Sequence, residues 1–313
     1  MKRIVLILYL VAVTASQART QGSGSFEYAE LQLNKQLEAI RKAVEDSSRK
    51  ALNDQFAIDF ERVLATKGSY TRTFDSLKGI TCTASPDGRF RFFTWSFSSE
   101  EGRFRYTGIL QTAPKQGDSS RIIRLNDAAD SVPEPGRALL PPDRWYGAVY
   151  YQVIPVRQQA GATYYTLLGW RGIDALVSSR LIDVLSFQED GSVVFGARIF
   201  CEKNRLDSCR IIFRYSAKAS MVLSYEKQSV VTASKWNASK RAFETQRIRQ
   251  MMIVCDRIVP MDPQMTGRYE YYVPASDVMD GFVYSDGCWS RVTGVDARNP
   301  YQKPKPPPQS HGQ

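Results

Sequence analysis

Between Trp145 and Tyr225 the chain is a series of short apolar runs: WYGAVYYQVIPV, TYYTLLGW, RLIDVLSF, SVVFGARIFC, CRIIFRYSA and SMVLSY. The breaks between them read QQAG, RGID, QEDG and EKNRLDS. Each run is about 5–10 residues long and rich in Val, Ile, Tyr and Phe, with Gly or Asp in the breaks, which is the pattern of successive antiparallel strands. This segment constrains the fold more than any other, and it assigns no reaction.

The same signature begins upstream, near Phe74. ITCTA, RFRFFTWSF and RFRYTGILQ form a predicted three-strand meander whose first turn is Asp87-Gly88, because Gly tolerates positive φ and Asp bonds its own backbone. Asp190-Gly191 and Asp286-Gly287 repeat that turn chemistry. Within RFRFFTW, Arg89, Arg91 and Thr94 partly alternate with Phe90, Phe92 and Trp95, which predicts one buried and one wet face. Downstream, IRQMMIVCDRIV (Ile248–Val259), EYYVP and FVYSDGCWSRV complete a set of about fourteen strand-like runs. No strict repeat joins them, so a sandwich, a flattened barrel and a small propeller all fit.

The N-terminal stretch has a different period. Leu33, Leu37, Ile40 and Val44 form one stripe, continued by Leu52, Phe56, Phe60 and Val63 after Ser47-Ser48. That spacing predicts two helices, or one interrupted helix, ending near Gly68 and docked on the chain's own core. Ser47-Ser48-Arg49-Lys50 has the S-x-x-K spacing of serine acyltransferases, but the companion S-D-N and K-T-G elements are absent. The expected fold is mainly β, an antiparallel meander with an α-helical N-terminal segment. The expected divisions are a signal peptide (1–18), a helical segment (19–68), a β domain (69–298) and a Pro-rich tail (299–313).

Lys2 and Arg3, the apolar run Ile4–Val13 and Ser16-Gln17-Ala18 have the layout of a secretory signal peptide cleaved after Ala18. The apolar run is about half of what a spanning helix needs, so an integral membrane protein is not expected. Export of the chain follows. The formal charge is +10, but Lys and Arg are scattered among Asp and Glu with no long basic run, which argues against nucleic acid. Asn237-Ala238-Ser239 is a glycan acceptor only in a eukaryotic host. NPYQKPKPPPQSHGQ (Asn299–Gln313) reads as an extended, frayed end.

Five cysteines in an exported chain invite disulfides. Cys201 and Cys209 flank EKNRLDS, and in a hairpin they would face each other, so a Cys201–Cys209 bridge is expected. It would contribute about 2–3 kcal/mol by chain entropy. Cys82, Cys255 and Cys288 leave an odd thiol under any pairing. With no C-x-x-C, zinc and thioredoxin-type sites have no support, and no metal or cofactor is expected. The single histidine, His311, lies in the tail, which removes imidazole-based catalysis. Paired carboxylates remain the one enzymatic option, with Asp143, Asp174, Asp183, Asp256, Asp277 and Asp280 as candidates.

The long connection Gln111–Asp143 holds APKQGDSS, RIIRL and NDAADSVPEPGRALLPPD. Connections of this length are often functional, and the alternative is a crossover between sheets. A binding surface is therefore expected beside it, at Asp143, Arg144, Trp145 and Tyr146, with Trp170, Tyr271 and Tyr272 as further aromatics. The plainer expectation for those rings is core packing.

Several phrases also carry a family likeness. PPDRWYGAVYY, YYTLLGWRG, RLIDVLSFQEDGSVVFGARIF, FRYSAKASMVLSYE and MMIVCDRIVP, with FDSLKGI and SPDGRFRFFTW ahead of them, occur in that order here. Over roughly Phe74 to Asn299 the chain resembles a family of uncharacterised exported proteins of the Gram-negative envelope. The resemblance implies a periplasmic or outer-membrane-associated setting and no activity. Where that family often has Asp-His after the MMIV strand, this chain has Asp256-Arg257, so no role of that histidine transfers. The function expected is a non-catalytic binding or assembly module of the envelope, with an envelope protein or a glycan as partner. The alternative is a carboxylate-based glycoside hydrolase.

Overall fold

The computed structural model describes residues 25–115, 119–158, 161–201, 208–239 and 241–295. The expected signal peptide with its expected cleavage point at Ala18, and the expected Pro-rich tail, lie outside the described residues. Over the described residues the protein is mainly β, with three antiparallel sheets, two N-terminal helices and no closed barrel.

Helix α1 spans residues 25–42 and α2 spans Asp46–Ala65. In α1 the predicted stripe is buried, with Leu33, Leu37 and Ile40 at 5% exposure or less. In α2 it is rotated. Leu52 is exposed and the inward face is Asn53, Phe56, Ala57, Phe60 and Leu64. Asn53 breaks the apolar pattern because it is fully used inside. Its Nδ2 donates to Thr107 Oγ1 at 3.0 Å, and its Oδ1 accepts from Trp95 Nε1 at 2.7 Å. Val44 falls in the break between the helices and is exposed. Ser47 and Ser48 begin α2 instead of interrupting it.

The strands come in three consecutive groups. The first sheet is β1 (Thr81–Ala84), β2 (Phe90–Ser98), β3 (Phe104–Thr112) and β4 (Ile122–Asn126), in that order. The second is β5 (Val149–Arg157), β6 (Thr163–Gly172) and β7 (Val177–Phe187), with β8 (Val193–Phe195) and β9 (Ile211–Ser216) both against β7. The third is β10 (Leu223–Asn237), β11 (Ala242–Pro260), β12 (Tyr272–Ser285) and β13 (Cys288–Val295).

These layers stack face on face, and period-two alternation sorts the side chains between them. On β2, Phe93 and Trp95 join the helices, while Phe90 and Phe92 join the second sheet. On β7, Leu181 and Leu185 face the first sheet, and Ile182 and Val184 face the third. β2 therefore has no wet face, contrary to the expectation from its sequence: Arg91 and Thr94 are buried as well. Arg91 is accommodated by hydrogen bonds to Gln111 Oε1 (2.8 Å) and to the carbonyls of Ser69 (2.8 Å) and Arg72. Its guanidinium also lies 4.7 Å from the Phe93 ring centroid.

The expected Cys201–Cys209 bridge is not formed; Cys201 is bonded to Cys288, with Cα atoms 5.9 Å apart. The reason lies in β7. Its first half pairs with β9 (Ile182↔Ile211) and its second half with β8 (Leu185↔Phe195). β8 and β9 thus lie end to end along one edge instead of forming a hairpin. The chain after β8 reaches the third sheet, where Phe200 bridges to Trp289 and brings Cys201 beside Cys288. Cys209 is a buried thiol whose Sγ lies 3.2 Å from the Arg137 carbonyl. Cys82 and Cys255 likewise form no disulfide.

Candidate functional site

The connection after β4 is a crossover, and the surface expected beside it is core. Trp145 is fully buried and Tyr146 nearly so, in the cluster between the first and second sheets. Asp143 and Arg144 remain exposed in a single 3-10 turn. Trp170 is half-buried edge-on to Phe104, 6.0 Å away. These five residues are not brought together into a binding face. Tyr271 and Tyr272 are partly buried, and Tyr272 packs against Tyr269 at 5.1 Å.

Trp145 instead heads a buried polar chain. Its Nε1 donates to Tyr150 Oη at 2.9 Å, and Tyr150 Oη donates to Asp183 Oδ2 at 2.8 Å. Asp183 Oδ1 lies 2.8 Å from Arg210 Nε, and neither side chain reaches solvent. Burial pushes the Tyr150 hydroxyl well above its ordinary range, so it remains a donor. A second ion cluster ties the third sheet: Asp280 receives Arg257 Nη2 at 2.5 Å and Arg291 Nη2 at 2.6 Å. Burial opposes ionisation there, but hydrogen bonds from Arg257 and Arg291 outweigh it and hold Asp280 below the usual carboxylate range. Arg257 is thus a structural partner of Asp280.

The other carboxylate candidates are local. Asp174 accepts from the backbone of Leu176 and Val177 in a turn, and Asp256 accepts from Val222 N at 2.7 Å. The side chain of Asp277 lies outside the described residues. No group of three or more His, Cys, Asp or Glu among the described residues could hold a metal ion.

A wide cleft lies elsewhere, between the N-terminal half of α2 and the first sheet. This cleft has a volume of about 770 Å³, within the range of ligand sites. Asn53, Thr107 and Tyr106 form its inner wall, and Lys50, Asp54, Phe97, Arg105, Arg124 and Asn126 are among the residues around its mouth. Several of these groups are held in place. Lys50 Nζ lies 2.6 Å from Asp54, and Arg124 Nε lies 2.5 Å from Glu61. At the N-terminus of α2, Asp46 accepts from Glu100 N while its own N–H donates to the Glu100 carboxylate. That reciprocal pair fixes the β2–β3 turn against the helix and satisfies one of the unpaired N–H groups of its first turn.

Asp127 closes one end of the cleft. It is paired with Arg171 at 2.9 Å and accepts from the backbone N–H groups of Tyr106 and Ala129. Gly147, at φ 52°, makes room for the pair: a Cβ there would sit 2.4 Å from the Asp127 carboxylate. Tyr106 Oη accepts from Gly172 N and donates to Gly172 O, docking the first sheet on β6. Sequence reasoning missed this cleft because its walls combine a helix face and a sheet face distant in the chain. The one available signal was Asn53, a polar residue on an otherwise apolar stripe.

No helix among the described residues is long and apolar enough to cross a membrane. No family model matches the chain, and no curated protein or solved structure matches it either.

Proposed function

We propose that the chain is an exported, non-catalytic binding module of the Gram-negative envelope, and that the cleft between α2 and the first sheet takes a multiply hydroxylated glycan. The observation that carries the reading is the composition of that cleft. Both signs of charge alternate around it, and Lys50 and Asp54, like Arg124 and Glu61, neutralise each other. A strongly ionic ligand gains little there. A neutral polar one finds donors and acceptors from Ser99, Asn126 and Arg105, with the partly exposed Phe97 as an apolar face. Sugars, with hydroxyls around a ring and C–H faces above and below, match that mixture. The family likeness supplies the envelope setting, and the Cys201–Cys288 bond is compatible with export.

Glycoside hydrolysis is the weaker reading. Of Asp143, Asp174, Asp183, Asp256 and Asp280, none lines the cleft. Asp183 and Asp280 are held in ion pairs, and Asp127 is locked by Arg171. The test is calorimetric titration of the mature protein with amino-sugar oligosaccharides released from envelope, on wild type, Asn126→Ala and Phe97→Ala. Binding by wild type that both substitutions weaken at unchanged melting temperature supports the proposal. Absence of binding, equal binding by the variants, or release of shorter sugars during titration rejects it.

A further inference from the structure

Beyond the third sheet the chain extends a ribbon that has no place in the stack. β12 pairs with β11 only from Ile253 to Pro260, while β10 and β11 stay paired out to Asn237 and Ala242. From Glu226 to Asn237 this is about 36 Å of two-stranded ladder at 3.3 Å per residue. The ribbon has no third strand among the described residues. A two-stranded hairpin is marginal in water by itself, so an arm this long points to a surface it rests on.

Its composition says which surface. Over this stretch the two strands and the turn residue Arg241 carry Lys227, Lys235, Arg241, Arg247 and Arg249 against Glu226 and Glu244, a surplus of three positive charges. Large apolar groups are open to solvent on it: Trp236 at 52%, Ile248 at 47% and Met251 at 45% exposure. At the tip Trp236 stands opposite Phe243 in the register. Aromatic side chains with a polar handle settle at the boundary between headgroups and acyl chains. Basic residues beside them are drawn to anionic headgroups. A second copy of the ribbon would bring like charge to like charge.

We propose that the β10–β11 ribbon is a membrane-surface contact that lays its aromatic tip and basic flanks on an anionic lipid bilayer. It holds the three-sheet stack at that surface without crossing it, and it does so whether or not the cleft takes a glycan. The test is co-sedimentation of the full mature protein with vesicles of phosphatidylglycerol and phosphatidylcholine in equal parts, against phosphatidylcholine alone. Sedimentation with the anionic vesicles only, lost at 1 M salt where screening acts over about 3 Å, is the expected result. Arg241→Asn with Arg249→Ser removes two charges and lowers partitioning about 30-fold, at roughly 1 kcal/mol per charge; Asn tolerates the φ of 46° at position 241. Near-UV circular dichroism of that variant, unchanged, shows that the stack is intact. Brominated lipid quenches wild-type fluorescence and quenches Trp236→Phe far less, because Trp95, Trp145 and Trp289 are buried and Trp170 is half-buried against Phe104, off the ribbon. Equal sedimentation with both vesicles, no sedimentation with either, or variants that bind like wild type overturn the proposal. So does a concentration-dependent dimer that the same substitutions abolish, since the occupant would then be a second copy.

Discussion

Replacing both Cys201 and Cys288 with Ala isolates the covalent link between the second and third sheets. The bond closes a loop with a sequence separation of 87. In the chain-entropy model a loop of that length removes about 15 cal/mol/K from the unfolded ensemble, or about 4.6 kcal/mol at 25 °C. Non-covalent contacts survive its loss, because Trp289 Nε1 still donates to Thr166 Oγ1 at 2.9 Å and Phe282 and Trp289 still pack on the second sheet. The double variant is therefore expected to fold and to unfold more easily. In urea, with a slope of about 3 kcal/mol/M, the midpoint falls by about 1.5 M. The slope itself rises, since an uncrosslinked unfolded chain exposes more surface. Cys209→Ala, which removes a buried thiol outside the bond, is the control and shifts the midpoint far less. A midpoint unchanged in the double variant but lowered in the control would refute both the pairing and the reasoning from topology.

Other consequences can be checked at the bench. Phe60→Ala empties the centre of the helix–sheet core, where Phe60 meets Phe93 at 5.0 Å and Phe74 at 5.6 Å; denaturant titration should show a loss of about 3–5 kcal/mol. Asp183→Asn leaves the Arg210 guanidinium buried without its counter-charge and costs about 3–5 kcal/mol by the same measurement. Gly147→Ala forces a Cβ against Asp127 at positive φ and costs about 2–4 kcal/mol, read as a lowered melting temperature. Asp280 has a depressed folded-state pKa, so its stabilising contribution is full above the unfolded value of about 3.9 and is lost as pH falls through the folded value. Wild type should lose stability steeply below about pH 4, and Asp280→Asn, less stable at neutral pH, should show a shallower acid slope.

Much of the fold was legible because strands advertise themselves locally. The runs from Ile80 to Val295 carry β-branched and aromatic residues between Gly- and Asp-bearing turns, and Gly88 does sit at φ 68° after Asp87. What was not legible depended on which faces meet. Layered burial on both sides of β2 cannot be told from RFRFFTW, since Arg91 and Thr94 look wet until helices cover them. The Cys201–Cys209 expectation assumed that neighbouring strands pair, whereas β7 is long enough to seat β8 and β9 end to end. Trp145 and Tyr146 looked like a surface because they follow a proline-rich loop, but that loop turns inward at Leu140 and delivers them to the core. The cleft was hidden for the same reason: Lys50 and Asn126 become neighbours only once α2 lies across the first sheet.

The claim on which the functional account rests is that the cleft between α2 and the first sheet is the ligand-binding surface. Backbone amide shifts of the isotopically labelled mature protein, followed during titration with amino-sugar oligosaccharides, test it directly. Saturable changes confined to residues 46–54, 97–107 and 124–127 are the expected result. Shifts that cluster instead around Asp143 to Tyr146, or no shifts at saturating sugar, would contradict it.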